Sequence, residues 1–426
     1  MRHKEKVILK EVEEQKPKAH LIGICLVKDS EKKQKSFEEL KLLVKTMGLE
    51  TVSVNLQKKE HPDKALYTGK GFIKAVVEAM EENDILIYDN DLRPSQIRNI
   101  SKKFDIEIMD RSEVILEIFQ QHAHTKEAKI QVNLARYQYE LPRLRKLWGH
   151  LDREKGTAST GGIARGTGEK QLELDRRYVR QKISKARQDL KRIASQKEIQ
   201  RQYRFSHFKK VCIVGYTNAG KSTMFNALTG GNVLVEDKLF ATLESTSRSL
   251  NLGKGRDIII SDTIGFISQL PHHLVASFRA TLQEINDADL LLHIIDASLN
   301  NYITRINDVV TVLTEIKCDN IPRKMVFNKI DLLSKNELMS LKEKYPDAVF
   351  ISANKKSNLD FLLERVDEQL NMAHKFSFLI PHIEQKAISQ MFELGDILKK
   401  EYRNDGVLMQ VIINDEDLYM FEKWKV

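Results

Sequence analysis

Eight residues, GYTNAGKS (215–222), follow the apolar run Val211-Cys212-Ile213-Val214 and fit the spacing G-x-x-x-x-G-K-[ST]. That spacing suits phosphate. Gly215 and Gly220 free the backbone, so the amides from Tyr216, Thr217, Asn218 and Ala219 onward can close around phosphate oxygens. A helix opening at KSTMFNAL, with Thr223 in its first turn, aims its positive dipole end at the same oxygens. Lys221 reaches the β- and γ-phosphates, and the Ser222 hydroxyl binds Mg²⁺. Forty residues on, Asp262-Thr263-Ile264-Gly265 closes the run DIIIS. Asp262 holds Mg²⁺ through water there, and the Gly265 N–H senses the γ-phosphate. A lone D-x-x-G is usually a plain turn; its weight comes from its place at the end of a neighbouring strand.

Asn328-Lys329-Ile330-Asp331 ends the run KMVF, and Ser352-Ala353 ends the next strand. The Asp331 carboxylate accepts both N1–H and N2–H of guanine, a donor pair that adenine lacks. Ser352 and Ala353 offer a backbone N–H to the guanine O6. Four strand ends in this order match the binding crevice of a doubly wound sheet. The set resembles the translation-factor branch of P-loop GTPases, which implies GTP or GDP with Mg²⁺. Between the P-loop helix and DIIIS, Thr242 is the threonine expected to join Ser222 and Asp262 on Mg²⁺, with Thr246 its competitor. The expected catalytic set is Lys221, Thr242 and Gly265. Ras-like enzymes place a water-orienting glutamine after D-x-x-G; this chain has Phe266, so intrinsic hydrolysis should be slow unless Gln269 substitutes.

These residues need elements to hold them. HLIGICLV, TVSVNL, ILIYD and IEIMD alternate with helical spacing at 36–48, 71–82 and 94–103. That predicts a small parallel sheet flanked by helices. From Arg111 apolar residues recur at three- and four-residue steps, predicting one long amphipathic helix. A loop rich in Gly, Ser and Thr follows at 156–169, and from Lys170 a second long helix, making an antiparallel hairpin with an exposed tip. Residues 206–370 alternate strand and helix again. The tail offers one helix-like stretch, AISQMFELGDILKKEY, and two strand-like ones, GVLMQVIIN and LYMFEKW. The expected class is multidomain α/β: an N-terminal parallel α/β subdomain at 1–110, the hairpin at 111–205, a doubly wound P-loop GTPase domain at 206–372, and a small C-terminal α/β appendage at 373–426.

The chain has 426 residues, 41% apolar and 30% charged, too long for one core. No apolar run is long enough to span a membrane, and the start MRHKEKVILKEVEEQKPK lacks a signal-peptide core. Three dispersed cysteines read as reduced thiols, so a cytoplasmic protein is expected. His122, His124, His272 and His273 lack the companions of a metal site and read as surface residues. The net charge of +9 is uneven. Residues 136–210 hold 21 Lys+Arg against 8 Asp+Glu, a net of +13 that leaves −4 for the rest. The bland reading is a solvated helix pair; an excess this large favours a phosphate-rich partner. Arg153, Lys155, Arg165, Lys170, Arg176 and Arg177, around the glycine-rich tip, are the expected RNA contacts.

Several stretches match one family: Tyr67-Thr68-Gly69-Lys70-Gly71, DNDLRPSQIRN from Asp89, DRSEVILEIFQQHAHTKEAKIQVNLA from Asp110, GTGEKQLELDRR from Gly166, FATLESTSR and DTIGFI. Together they resemble the HflX ribosome-associated GTPases. The resemblance implies a factor that binds the large ribosomal subunit and its rRNA through the N-terminal region; a monomer is expected. The hairpin tip would point toward the peptidyl-transferase centre. In the GTP state the factor would split stalled or idle ribosomes under stress, and hydrolysis would permit release. The tip departs from the family, being a few residues longer and carrying Thr167 and Lys170 where Pro and Thr are usual. That length suggests a variant that displaces antibiotics near the catalytic centre. The chief alternative is an RNA-binding GTPase of subunit assembly without splitting. A membrane-remodelling GTPase would need an apolar tip, and this one has a single large apolar residue, Ile163.

Overall fold

The computed structural model describes residues 17–25, 30–146, 164–205, 208–231, 239–240, 246–252, 257–263, 265–267, 284–370, 374–413 and 415–426, with backbone alone at 30–32, 145–146, 164–172, 197–205, 374–375, 396, 412 and 415–416. The chain divides into two compact units. One comprises 1–204 with 234–244 and 264–282; the other comprises 205–233, 245–263 and 283–426.

In the first unit, β1 (Lys18–Cys25), β2 (Glu50–Lys58), β3 (Ile85–Tyr88) and β4 (Glu107–Asp110) form a sheet ordered β2-β1-β3-β4, every pair parallel. Parallel strands need crossovers, and α1 (Ser30–Thr46), α2 (Lys70–Val77) and α3 (Pro94–Phe104) supply them. β1 is apolar and buried almost throughout, as a strand covered on both faces must be. Ile22 and Leu86 pack on Ile73, Val76, Ile97 and Ile100 from α2 and α3.

The carboxyl ends of these strands carry buried charge. Asp89, fully buried, accepts from Lys33 at 2.7 Å, from Ser36 at 2.8 Å and from Arg111 at 3.1 Å. Arg111 also pairs with Glu39. Asp110 accepts from Tyr139 at 3.0 Å and from Arg143 at 3.2 Å. Burial pushes the Asp110 carboxyl up, a neighbouring Asp91 adds to this, and Arg143 opposes it.

The single helix expected from Arg111 is two. In α4 (Arg111–His122), Asp110 caps the start by accepting from the Glu113 N–H at 3.0 Å. In α5 (Lys126–Glu140), Thr125 does the same for Ala128 at 3.2 Å. Ala123 between them is extended. An unbroken apolar period hides a break when a capping threonine gives the backbone another partner. After α5, the helix α6 spans Ala164–Phe205, 42 residues or about 63 Å. Val179, Ile183 and Ala186 of α6 pack with Leu134 of α5 and Leu144. The predicted tip loop ran to residue 169; α6 already begins at Ala164. Ala, Arg, Glu, Lys and Gln around Gly166 and Gly168 outweigh the cost of about 1 kcal/mol per glycine.

The second unit holds a six-stranded sheet ordered β10-β9-β8-β5-β7-β6. Its strands are β5 (Lys209–Gly215), β6 (Thr246–Asn251), β7 (Asp257–Asp262), β8 (Leu290–Asp296), β9 (Arg323–Asn328) and β10 (Val349–Phe350). All pairs are parallel except β6 with β7. Among the described residues, the helices beside this sheet are α7 (Lys221–Thr229), α8 (Tyr302–Glu315), α9 (Lys335–Lys344) and α10 (Leu359–Leu370). Val211, Ile213, Ile260, Leu292, Ile294 and Val326 form the core of this sheet. This is the doubly wound sheet expected.

The tail differs from expectation. β11 (His374–Ile380), β12 (Asp396–Arg403) and β13 (Gly406–Ile413) form an antiparallel sheet ordered β11-β13-β12, with α11 at Gln385–Leu394. The ILKKEY stretch is therefore strand, not helix. LYMFEKW is not a strand; Asp415–Leu418 and Glu422–Trp424 are short helical turns. Val407, Met409, Val411 and Ile413 alternate onto one buried face shared with Phe378 of β11, and Met391 and Phe421 cover it. That cover is what Phe421 does instead of pairing in the sheet. Among the described residues no helix is long and apolar enough to cross a membrane.

Candidate functional site: a nucleotide crevice

The crevice lies at the carboxyl ends of β5, β7, β9 and β10. Gly215 ends β5, and Gly220 opens α7 at a φ of +89°. A side chain fits at neither. A Cβ at Gly220 would strike the Asn328 amide, and one at Gly215 the carbonyl of Ile294. The loop between them is thus pressed close to the sheet, with Thr217 and Ala219 buried and Asn218 in the left-handed region at φ +60°.

Lys221 is buried, and its Nζ donates to the Tyr216 carbonyl at 2.8 Å. Burial pushes its ammonium down to about 8 from 10.5, while Asp262 pulls the other way. No carboxylate forms an ion pair with it among the described residues. A buried cation hydrogen-bonded to a carbonyl, with no carboxylate in direct contact, has the charge that a phosphate would complete. The Ser222 hydroxyl donates to Asp262 at 2.6 Å, and Asp262 is fully buried. That pair is an all-oxygen donor set, which suits Mg²⁺. Thr223 follows in the first turn of α7. Thr263 anchors the strand end by donating to the Ile213 carbonyl at 2.6 Å.

At the base end, Asn328 ties three loops together. Its amide donates to the Ala219 carbonyl at 2.9 Å, and its oxygen accepts from the Ala353 N–H at 2.9 Å. Lys329, left-handed at φ +63°, donates to the Asn218 carbonyl at 2.9 Å and pairs with Asp296 at 2.8 Å. Ser352, fully buried, donates to Asp331 at 2.6 Å, which leaves the carboxylate oriented at the rim. The P-loop and the base-reading motif are one hydrogen-bonded body.

The remaining expected residues divide. Thr242, Arg153 and Lys155 lie outside the described residues. Thr246 is the first residue of β6, in register with Asp262 in the sheet. Gly265 and Phe266 are buried and belong to the first unit. Arg165 and Lys170 lie in the first two turns of α6. Arg177 is exposed on α6 and Arg176 half-buried.

Two features carried no signal in the sequence. The Arg305 guanidinium, on α8, sits 4.5 Å over the Tyr216 ring, and nothing in a spacing links positions so far apart. His293, on β8, is buried, and burial pushes its imidazole down to about 3, helped by Arg323 and Lys221. A small cavity lined by Tyr216, His293, Asp296, Tyr302 and Arg305 lies beside the P-loop.

Comparison with known proteins is consistent along the chain. Family descriptions match in sequence order: "GTP-binding GTPase N-terminal" at 34–120, "GTP-binding GTPase Middle Region" at 122–204, and "50S ribosome-binding GTPase" at 210–329. A GTPase HflX of Caldanaerobacter subterraneus subsp. tengcongensis is 38% identical, over 96% of this chain and 94% of that protein. The GTPase HflX of Escherichia coli is 37% identical, over 92% of each. Among solved structures, a GTP-binding protein of the archaeon Sulfolobus solfataricus in complex with GDP is 26% identical, with a TM-score of 0.43, covering 83% of this chain and 98% of that one. The ligands of the crevice are GTP or GDP, with Mg²⁺.

Proposed function

The chain belongs to the HflX family of GTPases, and from that premise we propose that it is a GTP-hydrolysing factor of the large ribosomal subunit. It grips rRNA through the basic hairpin, splits stalled or idle ribosomes in the GTP form, and leaves after hydrolysis. Its setting is the cytoplasm. The observation that carries this is the pairing of a guanine-selective crevice with a segment of net charge +13 in the same chain. Lys221 and Ser222 hold the phosphates and Mg²⁺, and Asp331 selects guanine. Thr242 and Gly265 sense the γ-phosphate, which orders the loops that carry them. Phe266 has no group that can orient water, so hydrolysis is slow until the ribosome completes the site.

Sucrose-gradient analysis of intact ribosomes with the protein and a GTP analogue tests this. Loss of the intact peak is expected with the analogue and not with GDP. Binding to the large subunit with the intact peak preserved would leave the assembly reading in its place. Displacement of antibiotics rested on the length of the tip loop. Most of that tip, residues 147–163, lies outside the described residues.

A further inference from the structure

α6 buries one seam through Val179, Ile183 and Ala186. Beside that seam, Tyr178 is 58% exposed and Leu174, one turn earlier, is 56% exposed. They form an apolar island on a strongly basic helix. From Glu173 to Arg192 the helix has eight lysines and arginines against three acidic residues, a surplus of five. Arg177 and Lys185 are exposed, Arg177 next to the tyrosine and Lys185 two turns further along its face, and the Lys182 ammonium lies 5.0 Å from its ring centre.

A protein interface is depleted of charge at its centre, and this island lies among charges that are mostly positive, Arg177 beside it and Lys182 and Lys185 beyond it, with Glu173 and Asp175 before it. An RNA backbone is what such a surplus attracts. A double-helical RNA keeps its bases stacked on one another and hides them from side chains, whereas an unpaired base offers a free face to an aromatic ring. A tyrosine backed by an ammonium suits that face.

We propose that Tyr178 is a stacking platform for an unpaired base of ribosomal RNA, with Arg177 and Lys185 on the flanking phosphates. This rests on the reading that the hairpin grips rRNA, and it names how. Tyr178→Ala, Tyr178→Phe and the double variant Arg177→Ala/Lys185→Ala, each in the full chain, are compared by co-sedimentation with isolated large subunits at several salt concentrations. Because all three positions are exposed, the variants should melt with the parent, and a thermal scan verifies it. Tyr178→Ala is expected to weaken binding about tenfold with the salt slope unchanged, since no charge is removed. Tyr178→Phe should bind like the parent, because the ring survives. The double variant should flatten the salt slope.

If Tyr178→Ala binds within twofold of the parent while the double variant weakens, stacking is wrong and the rRNA grip stands. If neither weakens, the grip itself is wrong. If Tyr178→Phe loses as much as Tyr178→Ala, the hydroxyl and not the ring makes the contact, which overturns stacking. Photo-crosslinking from position 178 to a ribosomal protein and not to RNA overturns it too.

Discussion

Two sheets in this chain carry buried charge at the ends of their parallel strands, and they treat it oppositely. At the strand ends of the first unit, Asp89, Asp110, Arg111, Lys33, Glu39 and Arg143 neutralise one another across short contacts. At those of the second unit, Lys221 is buried against a carbonyl, its ammonium pushed down to about 8. By the crevice rule both sites are places for a ligand. The difference lies in balance. A crevice whose charges are matched internally supports the fold; one with an unmatched cation awaits an anion.

Removing charges from each side should sharpen that contrast most. Arg111→Ala leaves Asp89 and Glu39 buried without their guanidinium and should cost about 3–5 kcal/mol, read by chemical denaturation. Lys221→Ala should not lower the stability of the nucleotide-free protein at all, yet should slow GTP hydrolysis about a thousandfold. Equal destabilisation by the two would break the comparison. Next in size, Asp331→Asn should reduce the preference for GTP over xanthosine triphosphate by about a hundredfold, measured by competition, with folding unchanged.

His293 gives a smaller effect with a defined sign. Its folded pKa is about 3 against 6.5 when free, so the folded state refuses a proton that the unfolded chain takes. Stability is therefore full above pH 6.5 and should fall by about 2 kcal/mol by pH 5. His293→Gln should flatten that part of the profile. The smallest effect concerns Lys221 itself. Nucleotide phosphate favours its charged form, which in the free protein persists only below about pH 8. GTP affinity should hold below pH 8 and drop up to about tenfold per pH unit above it, by titration calorimetry. A flat profile in Lys221→Arg, whose guanidinium stays charged, would assign the effect to this group.

Much of this was legible beforehand because parallel strands covered on both faces read as apolar runs, and β1, β5, β7 and β8 all do. The crevice was legible because its motifs are local. What escaped obeys other physics. β6, TSRSLN, is a mostly exposed edge strand with no apolar alternation to betray it. β12 is rich in Lys and Glu, which reads as helix; yet Gly395 ends α11 and Asn404-Asp405-Gly406 is a hairpin signal that separates β12 from β13. The break before Thr125 rests on a single N-capping threonine, which a continuous apolar period masks. The packing of Arg305 on Tyr216 and the burial of His293 arise only once distant segments meet.

The length of α6 has a mechanical consequence. A proline-free rod of 42 residues transmits rotation with little bending of its own. Turned by about 10° at one end, a rod of about 63 Å sweeps its far end through about 11 Å. A rearrangement too small to notice at its root would become, at its distal end, a displacement about as wide as the rod itself is thick.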